Sequence, residues 1–583
     1  MGSAKKIDKS VYAFMLERAG RMKYGILALS GIQMLMGLTG IGYALLLKSI
    51  INHAAAKDSS GFWMCIGLLA GWFCLTMLLS YLKRWLSMRV QSTLENRFKA
   101  GLFDALLHAS YAYASSVHSA EWMNRLTNDS VVTADGMTEI LPGFLQMAVK
   151  LFATIGMILV LQPLFLYLAV PAGIFLIVIS LFFRKNLKQM HKTIQEKDGL
   201  LRTYFQDILE SLVVVRSYAL EEQALGQAEI RMAAHRQAKI QRSRFSNNAN
   251  LVFSAVMNSG IFLGGLFCGY GILTGGLDYG SFTAVVSMIG QLQTPFASIS
   301  GYLPRFYAMT ASAERLLQAQ GASACSLQQA DELEDVLQFY DTKLEGIGLE
   351  NARFAYSQKT MNPEENLQYD EKPVLDMPVN LYMEKGSCTA VCGYSGCGKS
   401  TMMKLLMGIY PLKQGSRQYR ANQQMHPLDG RLQKLFAYVP QGNYLMSGSI
   451  RQIVSFANPK EAHREEKIRF ALKVACAEFV YDLEHQVDTL LGERGAGLSE
   501  GQMQRLAIAR AVFSGHPILM LDECTSSLDE ETEKRVLINL KKMTNKTVMI
   551  VTHRKAALDI CDSKILMDDQ SCRQISMQER SRT

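Results

Sequence analysis

Long uncharged apolar stretches in the first 304 of 583 residues constrain this chain more than any other feature. A helix needs about 20 apolar residues to cross the roughly 30 Å hydrocarbon core of a bilayer. Five stretches without a charged residue meet this length: Gly25–Leu47, Gly61–Leu82, Leu151–Phe183, Phe245–Leu277 and Tyr279–Pro304. The alternative, buried helices of a large soluble protein, does not account for uncharged runs this long and numerous.

The third stretch is too long for one span and contains Gln162-Pro163. Proline breaks a helix and biases the residue before it away from helical geometry. We therefore expect a helical hairpin, with one span from about Glu139 to Gln162 and the next beginning directly after it. The sequence thus predicts an all-α transmembrane domain of six spans over residues 1–320, with an amphipathic helix at its start.

Lysine and arginine are distributed asymmetrically between the segments that connect these spans. The segments near 48–60, 162–163 and 274–280 contain almost none, whereas 83–130 and 184–244 are rich in both. Because cytoplasmic loops carry an excess of these residues, we expect both termini in the cytoplasm. The two inner segments are polar and helix-prone, so the spans are expected to continue beyond the bilayer, which we expect to be a bacterial inner membrane.

The net charge of +9 lies largely beside the apolar stretches, not in one basic patch interleaved with aromatic residues. This placement suits contact with an anionic leaflet of the lipid bilayer, and we expect no nucleic acid partner. The 11 cysteines show no disulfide-framework spacing, which indicates a reduced, cytosol-facing environment.

The second half of the chain begins after a polar segment, which we interpret as a linker at 321–341. Over 342–583, short β-rich apolar runs alternate with helical patterns, as in an α/β domain with a largely parallel sheet. Within it, Gly393–Ser400 fits the phosphate-loop pattern G-x-x-x-x-G-K-[ST], between a strand-like and a helix-like segment. Such a loop surrounds phosphates with backbone N–H groups at a helix N-terminus.

We expect this loop and the residue after it to bind ATP. The residues concerned are Gly393, Ser395, Gly396, Cys397, Gly398, Lys399, Ser400 and Thr401. Lys399 is expected to reach the β- and γ-phosphates, and Ser400 to bind Mg²⁺. The alternative is a fortuitous glycine turn. For Cys397, a small residue filling a variable position is favoured over a redox switch.

An apolar run that ends in two acids supplies the second element, Ile518–Glu523. Asp522 is placed to hold Mg²⁺, directly or through water, and Glu523 to act as general base toward the attacking water. The alternative is a buried strand with ordinary surface acids at its end, which the nearby phosphate loop makes a minor possibility.

Further segments resemble the ABC exporter family in order and spacing. Leu498–Gln502 and the following Gln504–Ala511 resemble the ABC signature and its helix, a far more specific pattern than the phosphate loop. The other matches are Tyr438–Gln441 (Q-loop), Gly492–Gly495 (the segment before the signature), Ser526–Asp529 (D-loop), Val551–His553 (switch histidine) and Phe354–Tyr356 (aromatic loop). Six spans followed by one P-loop ATPase domain with a helical subdomain is the half-size exporter layout, so the resemblance covers essentially the whole chain.

The resemblance implies a role for each matching residue. Gln441 would contact Mg²⁺ and sense the membrane domain, and His553 would touch the γ-phosphate and help stabilise the transition state. Tyr356 would stack on adenine, and Asp529 would bridge two nucleotide sites.

The resemblance also implies a second half-transporter as partner. Ser499 and the backbone of Gly501, with Gln502, would bind the γ-phosphate of ATP held by the partner's phosphate loop. Two ATP molecules would then be sandwiched between two ATPase domains, in a homodimer or a heterodimer. Short cytoplasmic helices near Tyr111–Ser116 and Glu210–Ser217 would couple the two domains.

Two positions depart from the family pattern. Glu500 stands where the signature usually has glycine; its carboxylate either points away or repels phosphate in the site that it completes. A polar insertion, Ser357–Lys372, contains Asn362-Pro363 and is interpreted as a surface loop.

One lysine lies inside a predicted span. Lys150 is placed near mid-bilayer, about 18 Å from the outer turn, and Gln146 lies one turn earlier on the same face. A charge at this depth is a functional candidate by default, so Lys150 and Gln146, with Gln291 and Gln293 of the sixth span, are predicted to line a substrate cavity. The alternative is a structural pair between Lys150 and an acid such as Glu139.

The sequence therefore predicts a dimeric, ATP-hydrolysing transporter that exports a peptide, a lipid-like molecule or an amphipathic small molecule by alternating access. Two alternatives are an importer of a metal chelate on the same fold and a nucleotide-gated regulator that does not transport. The second is disfavoured because Glu523, Gln441 and His553 are all present.

Overall fold

The computed structural model describes residues 9–117, 119–161, 163, 186, 189–190, 192–321, 332–360, 368–442, 445–492, 497–568 and 572–576. It divides into two compact units. The first comprises residues 1–103 and 123–318, and the second comprises 104–122 and 319–583.

The first unit is helical. Its helices, together with those of the segment 104–122, are α1 (Lys9–Ala19), α2 (Met22–Ala55), α3 (Ser59–His108), α4 (Tyr111–Ser115), α5 (Ser119–Asn124), α6 (Ser130–Asp135), α7 (Leu141–Leu161), α8 (192–210), α9 (Leu212–Ser217), α10 (Glu221–Leu273) and α11 (Tyr279–Gly321). Two π-helical turns, Arg125–Asp129 and Gly136–Ile140, join α5, α6 and α7 into one helical run.

Among the described residues, four helical runs are long and apolar enough to cross a membrane: Met22–Ala55, Ser59–His108, Ser119–Leu161 and Glu221–Leu273. They contain the predicted first, second, third and fifth spans. The predicted fourth span, at 164–185, lies outside the described residues. The sixth corresponds to α11, a helix of 43 residues that is not among the four.

The apolar 18-residue segments of these helices are mostly exposed. Only 6% of this segment is buried in α3, and only 17% is buried in α2. Large side chains such as Trp63, Phe152 and Phe262 are more than 60% exposed. Soluble monomers rarely expose apolar surface on this scale, so these faces are expected to contact lipid.

Two of these helices are far longer than a bilayer is thick. α3 has 50 residues and α10 has 53, so they are about 75 Å and about 80 Å long at 1.5 Å per residue. This confirms the predicted helical extensions. Asp129, fully buried, accepts hydrogen bonds from Ser312 and Arg315 of α11 and thereby fixes α11 against the π-turn before α6.

The second unit contains twelve described strands in three sheets. They are β1 (Gly346–Thr360), β2 (Gln368–Glu384), β3 (Cys388–Cys392), β4 (Gln414–Ala421), β5 (Gln424–Pro427), β6 (Phe436–Val439), β7 (Gly448–Ser449), β8 (Leu490–Leu491), β9 (Ile518–Asp522), β10 (Thr547–Val551), β11 (Ser563–Met567) and β12 (Cys572–Ser576). The antiparallel sheet has the order β2-β1-β4-β5, the main sheet has the order β12-β11-β3-β10-β9-β6, and β7 pairs with β8.

The main sheet is parallel except at β12, which confirms the predicted α/β domain. Every residue of β3, β9 and β10 is buried, as expected of parallel strands covered on both faces. Successive side chains of a strand point to opposite faces, so Leu519 and Leu521 enter one core and Met520 the other. The helices of this unit are α12 (Leu333–Thr342), α13 (Lys399–Leu406), α14 (Ile450–Val454), α15 (Glu465–Val474), α16 (Glu500–Phe513), α17 (Glu530–Lys541) and α18 (Lys555–Ile560).

Two segments have more structure than the sequence suggests. In the predicted linker, α12 buries Val336 and Tyr340 in the core that contains α13. The insertion 357–372 is not simply a surface loop: Ser357 pairs with Glu371 and Thr360 with Gln368, so it extends the β1–β2 hairpin. That prediction is corrected for the paired residues, while 361–367 lie outside the described part of the chain.

Candidate nucleotide-binding and catalytic site

The predicted phosphate loop joins the buried strand β3 to helix α13. Gly396 and Gly398 adopt φ values of +92° and +96°, in the left-handed region that glycine tolerates best. A Cβ atom on Gly398 would also lie 2.7 Å from the side chain of Leu375. Ser395 and Gly396 form the exposed crest of the loop, and Cys397 is buried beneath it, as expected of a packing residue.

Lys399 is 5% exposed and folds over the loop. Its Nζ donates hydrogen bonds to the carbonyl oxygens of Gly393 (2.6 Å) and Tyr394 (2.9 Å). These two acceptors satisfy an ammonium group that would otherwise be costly to bury. The cation therefore lies against the backbone that is predicted to surround the phosphates.

Asp522, at the end of β9, is 1% exposed and lies beside the loop. Its Oδ1 accepts a hydrogen bond from Ser400 Oγ, and its Oδ2 accepts one from Tyr438 OH, each at 3.0 Å. Hydroxyl and carboxylate oxygens are the hard ligands that Mg²⁺ prefers, so the pair Ser400 and Asp522 fits the predicted magnesium site. The contact of Tyr438 was not predicted, because only the neighbouring strands β6 and β9 bring it to Asp522.

Glu523 lies next to the other two predicted catalytic residues, Gln441 and His553. Gln441 Nε2 donates to Glu523 Oε2 at 2.6 Å, and His553 Nε2 lies 3.9 Å from Glu523 Oε1. The three side chains follow β6, β9 and β10, which are neighbours in the sheet. Glu523 has φ of +46°, a conformation that costs energy in a non-glycine residue and that clusters at functional sites. The arrangement presents a partly exposed carboxylate, oriented by an amide, beside the phosphate loop.

Tyr356 lies next to α13. Its hydroxyl is 3.0 Å from Thr401 Oγ1. Its ring packs edge to face on Phe354 and on Tyr410, with centroid separations of 4.8 Å and 5.4 Å. The structure therefore places this predicted adenine-binding residue within contact of the phosphate-loop helix.

The predicted signature begins helix α16. Ser499 is its N-cap and forms a reciprocal capping box with Gln502: Ser499 Oγ accepts from Gln502 N at 3.3 Å, and Gln502 Oε1 accepts from Ser499 N at 2.8 Å. Glu500 is exposed in the first turn of this helix. A Cβ atom on Gly501 would lie 2.8 Å from the carbonyl oxygen of Ser527, so α16 packs closely on the predicted D-loop.

The D-loop is held by two residues that the motif comparison did not assign. Gln504 of α16 donates to the hydroxyls of Ser526 (3.1 Å) and Ser527 (3.2 Å). Arg554, directly after the switch histidine, donates to the carbonyl oxygens of Ser526 (2.6 Å) and Leu528 (2.7 Å). Nothing in the spacing of these residues signals the contacts, since each crosses more than twenty residues of sequence.

Asp529 closes the D-loop by capping α17. Its Oδ2 accepts a hydrogen bond from Thr532 N at 2.9 Å, and this backbone hydrogen bond lowers the pKa of the Asp529 carboxyl. In this chain the residue thus has a local structural role in addition to the predicted bridging role.

The predicted cavity residues lie around one stretch of α2. Gln146 and Lys150 are half-buried on α7, and a Cβ atom on Gly37 would lie 2.9 Å from the Gln146 carbonyl oxygen and 3.4 Å from Lys150 N. Gln291 Nε2 donates to the carbonyl oxygen of Gly40 at 3.0 Å. The structure therefore brings α7 and α11 to adjacent turns of α2. The side chain of Gln293 lies outside the described part of the chain.

The predicted coupling segments are short helices. α4 covers Tyr111–Ser115 and α9 covers Leu212–Ser217, close to the expected limits. α4 belongs to the second unit, where the ring of Tyr111 lies 5.4 Å from that of Tyr410.

A phosphate loop, an acid pair and a capped signature helix, in a chain whose described residues include four membrane-length apolar helices, define the class: a membrane-bound P-loop ATPase. The family model of the ABC transporter transmembrane region matches residues 26–296, and the family model described as ABC transporter matches residues 377–526. The chain therefore belongs to the ABC transporter family, with the fused layout of half-size exporters, and it is an ATPase of transmembrane transport.

Several relatives share this layout. The ATP-dependent lipid A-core flippase of Mannheimia succiniciproducens is 25% identical over 559 residues, covering 94% of this chain and 91% of the relative. The flippase of Vibrio cholerae is 25% identical and covers 90% and 87%. A solved bacterial Atm1-family ABC exporter with ATP bound has a TM-score of 0.75 at 19% identity and covers 96% of each chain, which shows that the fold is shared.

Proposed function

We propose that two copies of this chain use the hydrolysis of MgATP to move an anionic, lipid-like amphiphile outward across a bacterial inner membrane. The observation that carries this proposal is Glu523, held by Gln441 at 2.6 Å and approached by His553, beside the phosphate loop of a chain with membrane-length helices. The lipid A-core flippase relatives support the lipid-like substrate.

In the hydrolytic step, the Glu523 carboxylate would accept a proton from the water whose oxygen attacks the γ-phosphorus, while the bond from that phosphorus to the β,γ-bridging oxygen breaks and ADP leaves. The amide of Gln441 orients that carboxylate, and Lys399, which folds over the phosphate loop, would neutralise phosphate charge. Ser400 and Asp522, with Gln441, would hold Mg²⁺, which supplies charge neutralisation to the phosphate oxygens when bound. His553 lies close enough to Glu523 to donate to a developing phosphate charge at the same site.

A dimer would supply two complete nucleotide sites, because each chain contributes one phosphate loop and one signature. We propose that the N-terminus of α16, with Ser499 and Gly501, closes over the nucleotide of the partner, since exposed N–H groups at a helix N-terminus favour anions. Asp529, in the D-loop, would then lie between the two sites. Closure and reopening of the ATPase domains would drive alternating access, with both termini on the cytoplasmic side.

An anionic amphiphile is favoured by Lys150. A cation in a span is expected to face a water-filled cavity or a partner, and the packing of α7 against α2 brings Lys150 close to the stretch that Gln291 also contacts. The acid named in the alternative, Glu139, lies 3.6 Å from Arg305, and it is about 16 Å along the helix axis from Lys150.

Reconstitution into liposomes tests the proposal. Inside-out oriented protein should move a fluorescent anionic lipid to the leaflet opposite the ATPase domains only when ATP is added, and Glu523→Gln should abolish this movement. Movement in the reverse direction would contradict export. ATP hydrolysis without movement of anionic or zwitterionic lipid analogues would exclude the lipid-like substrate.

A further inference from the structure

Two buried cysteines of the second unit lie side by side. Cys388 Sγ and Cys561 Sγ are 3.1 Å apart, although 173 positions separate the two residues in the chain. Both are free thiols, with 8% and 5% of their surface exposed. A disulfide bond requires about 2.05 Å between the sulfur atoms, so the two thiols need to approach by only about 1 Å.

The backbone beside both cysteines holds this pair in place. Cys388 is the first residue of β3, and Cys561 lies just before β11, the parallel neighbour of β3. Asp562 N donates to the Cys388 carbonyl oxygen at 2.8 Å, and Cys388 N donates to Asp562 Oδ2 at the same distance. The fold therefore keeps the two sulfur atoms together while they are still thiols, and closing a bond between them requires little rearrangement.

The two thiols differ in their readiness to react. The hydrogen bond between them lowers the pKa of the Cys388 thiol and, together with burial, raises the pKa of the Cys561 thiol. The thiolate is the nucleophile in thiol–disulfide exchange. Cys388 is therefore the attacking residue, and Cys561 is the residue that resolves the intermediate.

The surroundings of the pair provide a route for a small oxidant. Asp562, directly after Cys561, is exposed and forms an ion pair with the exposed Lys541 at 3.0 Å. The helix before Cys561 is α18, which has only six residues. Short elements held by surface contacts open locally at little cost in free energy, so the pair becomes accessible without unfolding of the whole unit.

We propose that Cys388 and Cys561 are a redox pair that closes a disulfide bond when a low-molecular-weight disulfide reaches them. The Cys388 thiolate attacks one sulfur of the small disulfide, which forms a mixed disulfide and releases one small thiolate. Cys561 loses its proton to solvent, and its sulfur attacks Cys388 Sγ, which releases the second small thiolate. The two protein thiols are thereby oxidised, and the small disulfide is reduced to two thiols.

The bond stabilises the ATPase unit and leaves its nucleotide chemistry unchanged. It is attached at the first residue of β3, whereas the phosphate loop follows the last residue of that strand, Cys392. A cross-link between residues 173 positions apart removes conformational entropy from the unfolded chain, and this effect grows with the length of the closed loop. Oxidation therefore protects the unit against unfolding without displacing the phosphate loop.

Oxidation of the purified full-length chain tests the proposal. The protein is incubated with excess oxidised glutathione, the remaining thiols are alkylated, and the peptides are identified by mass spectrometry. A peptide linked through Cys388 and Cys561 should appear, the number of free thiols should fall by two, and reduced glutathione should restore both. Unlinked Cys388 and Cys561 after prolonged exposure would overturn the proposal.

Single variants test the order of the two steps. Cys561→Ser should retain glutathione as a mixed disulfide on Cys388, whereas Cys388→Ser should leave Cys561 unmodified. Cys476→Ala is the matched control, because Cys476 is a buried thiol of the same unit that lies 3.7 Å from Asn539 Nδ2. It should form the linked peptide as the wild type does. Glutathione on Cys561 in Cys388→Ser would overturn the assignment of Cys388 as the attacking residue.

Thermal unfolding and ATPase assays test the consequence of the bond. Oxidation should raise the unfolding temperature of the wild type by about 5–15 °C and leave that of Cys561→Ala unchanged. The ATPase activity of the wild type should be the same before and after oxidation. An activity that oxidation lowers in the wild type but not in Cys561→Ala would overturn the stabilising role and show an inhibitory one.

Discussion

At the residue scale, the site is assembled from strand ends. Gln441, Glu523 and His553 follow three adjacent parallel strands, and the phosphate loop follows β3, the neighbour of β10. The carboxyl ends of parallel strands share one edge of the sheet, which is where α/β folds bind ligands. Ser400 and Asp522, which are 122 positions apart, thus meet at 3.0 Å.

Glu523→Gln should abolish steady-state hydrolysis while retaining ATP binding. The amide has the shape of the carboxylate and can still accept the hydrogen bond from Gln441, but it cannot take a proton from water. Release of phosphate should fall below about a tenth of the wild-type kcat, a barrier increase above roughly 1.4 kcal/mol. Glu530→Gln, which changes an acid in the first turn of α17, is the control and should hydrolyse normally. Residual activity above a tenth would contradict the role of Glu523 as base.

Lys150→Met should abolish transport and the stimulation of ATPase activity by anionic lipid, with basal ATPase activity unchanged. The substitution keeps the length of the side chain and removes the charge that would attract the substrate headgroup. Transport in liposomes and ATPase assays with a lipid series measure both effects. Lys83→Met, at the inner end of the second predicted span, should transport normally. Normal transport by Lys150→Met would exclude the cavity role, and an aggregated protein would favour a structural ion pair.

The sequence alone predicted sites whose residues lie close together in the chain. The phosphate loop and the acid pair each occupy a few consecutive positions, and each lies between the elements that were expected to flank it. Tyr438, Gln504 and Arg554 were not assigned contacts, because their partners are set by the order of strands and by helix packing. Long-range pairing of this kind leaves no periodic signal in one sequence.

At the element scale, α16 and the D-loop form one packed element. Gln504 bonds both D-loop hydroxyls, and Gly501 leaves no room for a side chain against Ser527. Arg554 ties the segment after the switch histidine to the same loop. A displacement of the signature helix should therefore move the D-loop with it.

Gly501→Ala tests this packing. Alanine retains the backbone N–H that is proposed to face phosphate, so any effect comes from the methyl group, which would lie 2.8 Å from the Ser527 carbonyl oxygen. Overpacking of this kind costs about 1–3 kcal/mol, and we expect ATPase activity to fall about tenfold with a lower unfolding temperature. Gly226→Ala is the control, because nothing lies within 4 Å of that position on α10. Wild-type activity in Gly501→Ala would show that the D-loop moves independently of α16 to accommodate the methyl group.

The limits of the helices and strands show which elements the sequence patterns predict and which they do not. The apolar runs predicted the spans because burial in lipid tolerates no charge, and the proline predicted a span end at about Gln162, one residue beyond the described end of α7 at Leu161. The hairpin extension at 357–360 and 368–372 was taken for loop, since its polar residues show no alternation and Asn362-Pro363 is typical of a turn. Pairing across the hairpin, not propensity, stabilises those strands.

At the scale of the whole molecule, the proposed transport cycle requires two chains to associate. The N-terminus of α16 carries Glu500. Its negative charge interacts favourably with the helix dipole and stabilises the helix by about 0.3–1 kcal/mol. In a dimer, the same charge would approach the partner's phosphates. Its exposure leaves the carboxylate free to point into solvent. The balance between these two effects decides whether identical chains suffice.

We expect two identical chains to hydrolyse ATP without a different partner subunit. The purified chain alone should hydrolyse ATP with positive cooperativity, because each copy completes the site of the other. Glu500→Gly should then change kcat less than about threefold and lower the unfolding temperature slightly, through loss of a favourable first-turn acid. Glu530→Gly, the equivalent first position of α17, controls for the helix effect because it lies outside the signature. The opposite result would be a purified chain that is inactive and that Glu500→Gly, but not Glu530→Gly, activates several-fold. It would show that this site needs a non-identical partner with an unaltered signature.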